Sequence, residues 1–234
     1  MIGEDGAVLK LNNVALRMGD FDLSANLSIV GPGVTAVIGP SGGGKSTFLS
    51  LIAGFQVPDK GQIFWNDTEL TALSPGARPV AMLFQDNNLF PHLDSLSNVA
   101  LGEAPVAHPS SETKERAREA LKRVSLTGLE FRKPSELSGG QQSRVALARL
   151  LLTNRPVILM DEPFSALGPS QRKEMLALVK ELLPAATILM VTHDPDDARD
   201  TKQTVVVSNG LVSSPHETKA LFADPPPALR AYLR

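Results

Sequence analysis

The residues Gly39-Pro40-Ser41-Gly42-Gly43-Gly44-Lys45-Ser46 fit the pattern G-x-x-x-x-G-K-S/T. Each residue type answers a requirement of holding a polyphosphate. The glycines let the backbone curl until its N–H groups point inward at anionic oxygens. A helix starting near Lys45 adds the positive end of its dipole. The Lys45 ammonium can reach the β- and γ-phosphates, and the Ser46 hydroxyl can ligate Mg²⁺. On its own this loop indicates a P-loop nucleotide hydrolase and nothing narrower.

Two acids, Asp161 and Glu162, end the apolar run Val157-Ile158-Leu159-Met160. Open parallel sheets bind ligands at the carboxyl ends of their strands. Two acids there need a cationic neighbour to offset desolvation, and Mg²⁺ on the phosphates of ATP supplies one. Neighbouring strand residues point to opposite sides. That assigns Asp161 to Mg²⁺ and Glu162 to the attacking water as general base. A third group, Leu137-Ser138-Gly139-Gly140-Gln141, precedes a helical pattern over 142–152. Ser138 suits a helix N-cap, and the paired glycines leave backbone donors open to an anion.

These groups need strands and helices to hold them. Residues 34–38, 157–160 and 187–191 are short, continuous, β-branched runs, the mark of strands buried on both faces. Residues 80–84 and 204–207 predict further strands. Helical patterns at 46–53, 142–152 and 170–183 predict βα units with a parallel sheet. Residues 8–14 and 21–29 alternate with period two and predict two half-exposed antiparallel strands, followed by a turn at Gly31-Pro32-Gly33. A charged helix is expected over 110–124, capped by Ser110 or Ser111, with i,i+4 pairs Glu112–Arg116 and Glu119–Arg123. Asn209-Gly210 predicts a hairpin, and a short helix is expected after Pro225-Pro226-Pro227.

Composition narrows the function classes. The chain has 234 residues, 42% hydrophobic and 21% charged, an ordinary globular balance. It has no cysteine, which excludes a disulfide framework, a thiol nucleophile and a Cys-ligated metal. The 23 basic and 25 acidic residues leave a net charge of -2, which argues against nucleic acid as a partner. No apolar stretch approaches the roughly 18–20 residues of a membrane span. The N-terminus Met1-Ile2-Gly3-Glu4-Asp5-Gly6 is acidic and lacks the apolar core of a signal peptide. A soluble, cytosolic chain is expected.

The set and order of motifs resemble the nucleotide-binding subunit of an ABC transporter. The resemblance spans nearly the whole chain. It rests on the loop from Gly39 through Thr47, Gln85 after Leu83-Phe84, the signature at 137–141, Asp161-Glu162-Pro163, and His193 after Val191-Thr192. It implies an α/β fold: a P-loop NTPase with a RecA-like core, an antiparallel β subdomain, and a helical subdomain inserted at about 86–153 of a single ATPase domain over 1–234. It implies a homodimer facing head to tail, with each ATP between the P-loop of one copy and the signature, Ser138, Gly139, Gly140 and Gln141, of the other. It also implies that Gln85 touches Mg²⁺ or the water and signals to the membrane subunit. His193 is implied to hold the γ-phosphate and orient Glu162. The implied partners are transmembrane permease subunits and a periplasmic or extracellular substrate-binding protein. The implied location is the cytoplasmic face of the bacterial inner membrane, peripheral.

Three positions depart from the family pattern. Gly168 stands where the family usually has an Asp that couples the two sites. Arg17-Met18-Gly19 stands where an aromatic often stacks on adenine, leaving Met18, Arg17 or Phe21 to contact the base, with weaker base selectivity as the expectation. Ser143 replaces a basic or amide residue, and no function attaches to it. Import is favoured over export, because the family's exporters usually fuse this domain to membrane helices. Residues 78–90, with Leu93 and Asn98, look most like the ATPase of bacterial thiamine importers, above all Asn87-Asn88 after Asp86. Thiamine or a thiamine phosphate is therefore the expected cargo, with iron, polyamine, sulfate or molybdate as alternatives. Two rivals are a non-transport ABC ATPase and a subunit that binds ATP without turning it over.

Overall fold

Alternating burial makes β1 (Val8–Met18) and β2 (Phe21–Val30) an antiparallel pair. In β2, Leu23, Ala25, Leu27 and Ile29 are buried while the residues between them face water. β3 (Gly33–Ile38) runs through the phosphate loop into α1 (Lys45–Ala53). β4 (Lys60–Trp65), which carries the only tryptophan, pairs with β1, and β5 (Thr68–Glu69) pairs with β4. β6 (Val80–Leu83) is followed by α2 (Ser95–Ala100), α3 (Ser111–Arg123) and α4 (Gly139–Thr153). Then come β7 (Val157–Asp161), α5 (Pro169–Leu182), β8 (Thr187–Val191) and α6 (Pro195–Arg199). β9 (Gln203–Ser208), β10 (Leu211–Val212), β11 (His216–Glu217) and α7 (Thr218–Ala223) end the order.

The structure is a computed structural model that describes residues 6–226, 229 and 230. The N-terminal stretch tested for a signal peptide lies outside these residues, apart from Gly6. So does most of the helix expected after Pro227, of which Leu229 and Arg230 are helical. No helix among the described residues is long and apolar enough to cross a membrane.

The chain divides into two compact units. The first holds residues up to Val80, Pro156–Asp161, and Ala185 onward. Its strands lie in the order β5-β4-β1-β2-β10-β9-β3-β8-β7. β3 is parallel to both β8 and β9, and β8 is parallel to β7. Every residue of β8 is buried, as is β7 up to Met160, which explains their unbroken apolar runs. Asn209 and Gly210 both take positive φ, 49° and 74°, as a tight hairpin turn demands. The turn makes β10 antiparallel to β9 and parallel to β2, which joins the antiparallel and parallel parts of the sheet.

Arg78 is fully buried in this unit. Its Nη1 donates to the carbonyls of Leu51 (2.7 Å) and Ile52 (2.9 Å), its Nη2 to Thr71 (3.0 Å) and its Nε to Leu73 (3.0 Å). Leu51 and Ile52 lie in the last turn of α1, where the regular i→i−4 ladder runs out and the dipole is negative, and the Leu51 carbonyl also accepts from the Gly54 N–H at 3.3 Å. Burial pushes the guanidinium pKa down, but an arginine remains charged in a protein. Gly54, at φ 86°, makes room: a Cβ there would come within 2.5 Å of Nε. We expect Arg78→Met to lower stability by about 3 kcal/mol, because it removes the donor from two buried and two part-buried carbonyls at once. Arg78→Lys should restore less than half of that, since an ammonium cannot span the same carbonyls. Urea unfolding measures both, and a loss under about 1 kcal/mol for Arg78→Met would remove Arg78 from this role.

The second unit holds Ala81–Arg155 and Glu162–Pro184, so α5 groups with α2, α3 and α4. α3 buries Thr113, Ala117, Ala120 and Leu121, one stripe at helical spacing. Ser110 caps it, accepting from the Thr113 N–H at 3.1 Å. Arg116 reaches Glu112 at 2.5 Å and also binds Glu103, holding that carboxyl below its usual pKa. Glu119 reaches Lys122 at 3.7 Å, in place of the expected Arg123. These exposed pairs contribute little.

Candidate functional site

β3, β8 and β7 end level with one another. Val37 lies opposite Val191 on one side of β8, and Asp161 lies opposite Val191 on the other. The phosphate loop follows β3, Thr192 and His193 follow β8, and Asp161 ends β7. The first unit therefore gathers these groups on one edge.

Within the loop, Gly39, Gly42 and Gly44 take φ values of 147°, 73° and 108°, which L side chains rarely adopt. The β9–β10 hairpin backs the loop. A Cβ on Gly39 would collide with the Val207 carbonyl, and the Gly210 N–H donates to the Gly43 carbonyl at 3.0 Å. Lys45, only 8% exposed, folds back so that Nζ donates to the carbonyls of Gly39 (2.9 Å) and Pro40 (3.0 Å). α1 starts at Gly44 with no side-chain cap and no acid in its first turn. A glycine N-cap brings no side chain of its own to this positive helix end, and an open, acid-free helix start fits a polyphosphate. Ser46 is exposed and Thr47 half-buried at this helix start. The Ser46 hydroxyl and the Asp161 carboxylate are hard oxygen donors of the kind Mg²⁺ takes, so the residues present fit that ion.

Of the three residues considered for base contact, Phe21 lies against the loop. A Cβ on Gly44 would come within 2.8 Å of its ring. Met18 sits opposite Phe21 across the hairpin and is 38% exposed. Arg17 instead turns to Asp22, at 3.7 Å.

The segment carrying His193 is braced on both sides. The Thr192 N–H donates to the Val37 carbonyl at 3.2 Å. The Thr192 hydroxyl donates to Asp197 (3.0 Å) and accepts from the Asp194 N–H (3.0 Å). Asp194 in turn caps α6. His193 itself is exposed.

In the second unit, Glu162 is half-buried and has left the strand, with φ at 47°. Glu162 thus lies beyond β7, which ends at Asp161, in a left-handed conformation, so the strand alternation expected from sequence does not extend to it. Such a backbone costs about 1–3 kcal/mol and is concentrated at functional sites. Buried Phe164 and Leu167 anchor the turn that follows. Gly168 is the N-cap of α5, at φ -68° and ψ 161°, and makes no side-chain cap.

Ser138 caps α4 in a reciprocal box. Its hydroxyl accepts from the Gln141 N–H (3.3 Å), and Gln141 Oε1 accepts from the Ser138 N–H (2.9 Å). Gly139 and Gly140 follow with space around them. Gln85 is exposed in a turn over 85–88, where Asn87 and Asn88 have φ of 58° and 46°. Sequence reasoning missed what holds this turn. Arg149 of α4 donates from Nη2 to the Asn87 carbonyl and from Nη1 to the Asn88 carbonyl, both at 2.7 Å. Burial lowers the Arg149 pKa, and nearby Asp86 opposes that shift. Ser143 accepts from Asn87 Nδ2 at 3.4 Å and donates to the Gly139 carbonyl at 3.1 Å. No sequence signal marks Arg149, because a polar side chain inside a helical pattern looks solvated, and Ser143 stands out only as a departure from the family pattern with no function attached to it.

The backbone at Gly168 suits any L residue, and nothing lies within 4 Å of a Cβ built there. Gly168→Asp should therefore cap α5. A gain of about 0.5–1 kcal/mol is expected from the cap and the stiffer unfolded chain. That corresponds to a Tm rise of about 1–4 °C in a thermal melt. A fall in Tm would show that the site does not accept the carboxylate.

The chain is similar to known proteins along nearly its whole length. A model of the family described as ABC transporter matches residues 24–165. Thiamine import ATP-binding protein ThiQ of Cereibacter sphaeroides is 53% identical over 97% of this chain and 99% of its own. The protein of the same name from Ruegeria sp. is 52% identical over the same shares. Among solved structures, the ADP conformation of MJ1267, an ATP-binding cassette of an ABC transporter, is similar with a TM-score of 0.85 and 27% identity. It covers 97% of this chain and 98% of that one. A dimeric post-hydrolysis structure of the cassette MJ0796, bound to ADP and Pi, has a TM-score of 0.75 and 32% identity over 90% of this chain and 98% of that one. The family model over residues 24–165, the identity over almost the whole chain and the structural likeness together show that the chain belongs to the ABC transporter family, with the α/β P-loop fold of its ATP-binding cassettes.

Proposed function

We propose that this chain is the ATP-hydrolysing subunit of an importer for thiamine or a thiamine phosphate. It acts as one ATPase domain over 1–234 with a helical subdomain inserted at about 86–153, pairs with a second copy, and sits under separate permease subunits. Its place is the cytoplasmic face of the inner membrane, peripheral, and a substrate-binding protein delivers the cargo. The observation that carries the ATPase reading is the level ending of β3, β8 and β7, with the loop, His193 and Asp161 on one edge. The cargo follows from relatives named for thiamine import that match almost end to end.

The loop N–H groups from Gly39 to Thr47 bind the β- and γ-phosphates of ATP, and Lys45 exchanges its two carbonyl partners for phosphate oxygens. Ser46, Asp161 and Gln85 would hold Mg²⁺, which when bound neutralises phosphate charge. Glu162 takes the proton of the attacking water, and its left-handed backbone sets where its carboxylate points. His193 holds the γ-phosphate and orients Glu162. The signature of the second copy, Ser138, Gly139, Gly140 and Gln141 at the uncrowded start of α4, closes on the γ-phosphate. Gly168 brings no carboxylate to the link between the two sites. Exposed Phe90, in the loop after Gln85, offers an apolar contact to the permease.

Glu162→Gln keeps the shape and removes the base. It should lower kcat by about 10²–10⁴-fold while ATP binding, measured by equilibrium titration, stays within a factor of about two. Equal activity in the variant would take Glu162 out of the role. The cargo is tested by labelled-thiamine uptake in cells whose only copy carries Lys45→Ala. Uptake should vanish and return with the unaltered chain. Undiminished uptake would discard thiamine and turn attention to the other small solutes.

A further inference from the structure

We propose that Arg149 is a positioning residue that fastens the Gln85 turn to the signature helix, so that Gln85 and Ser138 answer to one rigid element. The proposal rests on the reading that Gln85 serves ATP hydrolysis.

Three features carry it. The first is geometric. Asn87 and Asn88 are both left-handed, and their carbonyls are taken by the two arms of one guanidinium at equal distances of 2.7 Å. A charged fork holding two acceptors fixes orientation as well as distance. The second is a separate attachment on the same helix. Ser143 lies about two turns before Arg149, is 3% exposed, and links Asn87 to the Gly139 carbonyl of the signature. One attachment would leave the turn free to pivot, and two do not. This also accounts for the short side chain at 143: a longer basic or amide group would compete with Asn87 for the same buried space. The third is the bracing of α4 itself. A Cβ on Gly102 would collide with the Arg149 carbonyl, so the helix backbone there is packed without slack. Asp86 adds a carboxylate on the turn side, favourable to the Arg149 charge.

A push on the signature end of α4, as when a second copy seats on it, is then felt at Gln85 through about 15 Å of helix. No direct touch between Gln85 and the signature is required. Arg149 acts through Gln85 and meets no reacting atom itself.

Two measurements on the full chain decide this. Amide hydrogen exchange comes first, on Arg149→Lys and Arg149→Ala. The amides of Asn87 and Asn88 should exchange about tenfold faster in both, while those of residues 145–150 keep their protection. Unchanged exchange at Asn87 and Asn88 would overturn the clamp, and this readout does not depend on ATPase activity. The second is a double-mutant cycle with Gln85→Ala. Arg149→Lys should lower kcat about five- to tenfold with KM for ATP within about twofold, and should have no further effect when Gln85 is already Ala. Additive losses would show that Arg149 supports the helix alone and would overturn the proposal. Faster exchange in the two variants, with a wild-type chain that does not hydrolyse ATP, would leave the clamp standing and remove only the ATPase reading.

Discussion

The hydrogen-bond register of β3, β8 and β7 is the constraint on which the nucleotide edge depends. Each strand delivers its group only because all three stop at the same height. A slip of one residue in β8 would move His193 by about 3.3 Å and turn it to the other face. These strands are buried on both sides, so alternation cannot fix their register. It is fixed by the chain around them: the Thr192 N–H on the Val37 carbonyl, the Thr187 N–H on Pro156, and the Gly33 N–H on Ala186. The phosphate loop then needs only a firm backing, which the β9–β10 hairpin supplies without a side chain in the way.

Two arginines in this chain do similar work by similar means. Arg78 and Arg149 both direct their forks at backbone carbonyls, one at the last turn of α1, the other at the turn after β6. Carbonyls at helix ends and in left-handed turns are left without regular partners. A guanidinium meets several of them at once, and no buried carboxylate has to be desolvated alongside it. The segment from 78 to 88 is thus held by a guanidinium near each end, Arg78 from within it and Arg149 from α4.

What could be seen in the sequence was local chemistry. Continuous β-branched runs marked β3, β7 and β8, Asn209-Gly210 marked the hairpin, and Ser110 and Ser138 marked helix starts, because each obeys a rule spanning only a few residues. β4 escaped since Gly61 breaks its alternation, and α2, α6 and α7 are too short for a periodic signal. The loop and the acid pair stood out from residue types and spacing, but Gln85 and His193 have no distinctive neighbours and were visible only through resemblance to a family. The left-handed turn at Glu162 and the Arg149 contacts were invisible, the first because Glu rarely adopts that backbone, the second because its partners lie 61 and 62 residues away.

Trp65 stands in β4, within the unit built on the sheet, and it is the single indole of the chain. Most of the long helices belong to the other unit. Intrinsic fluorescence therefore reports on the sheet, and far-ultraviolet circular dichroism chiefly on the helices. The absence of any native thiol means that a cysteine introduced beside Gln85 would carry a dye or spin label at that one place. Each half of the motor can thus be followed by its own optical channel while nucleotide comes and goes.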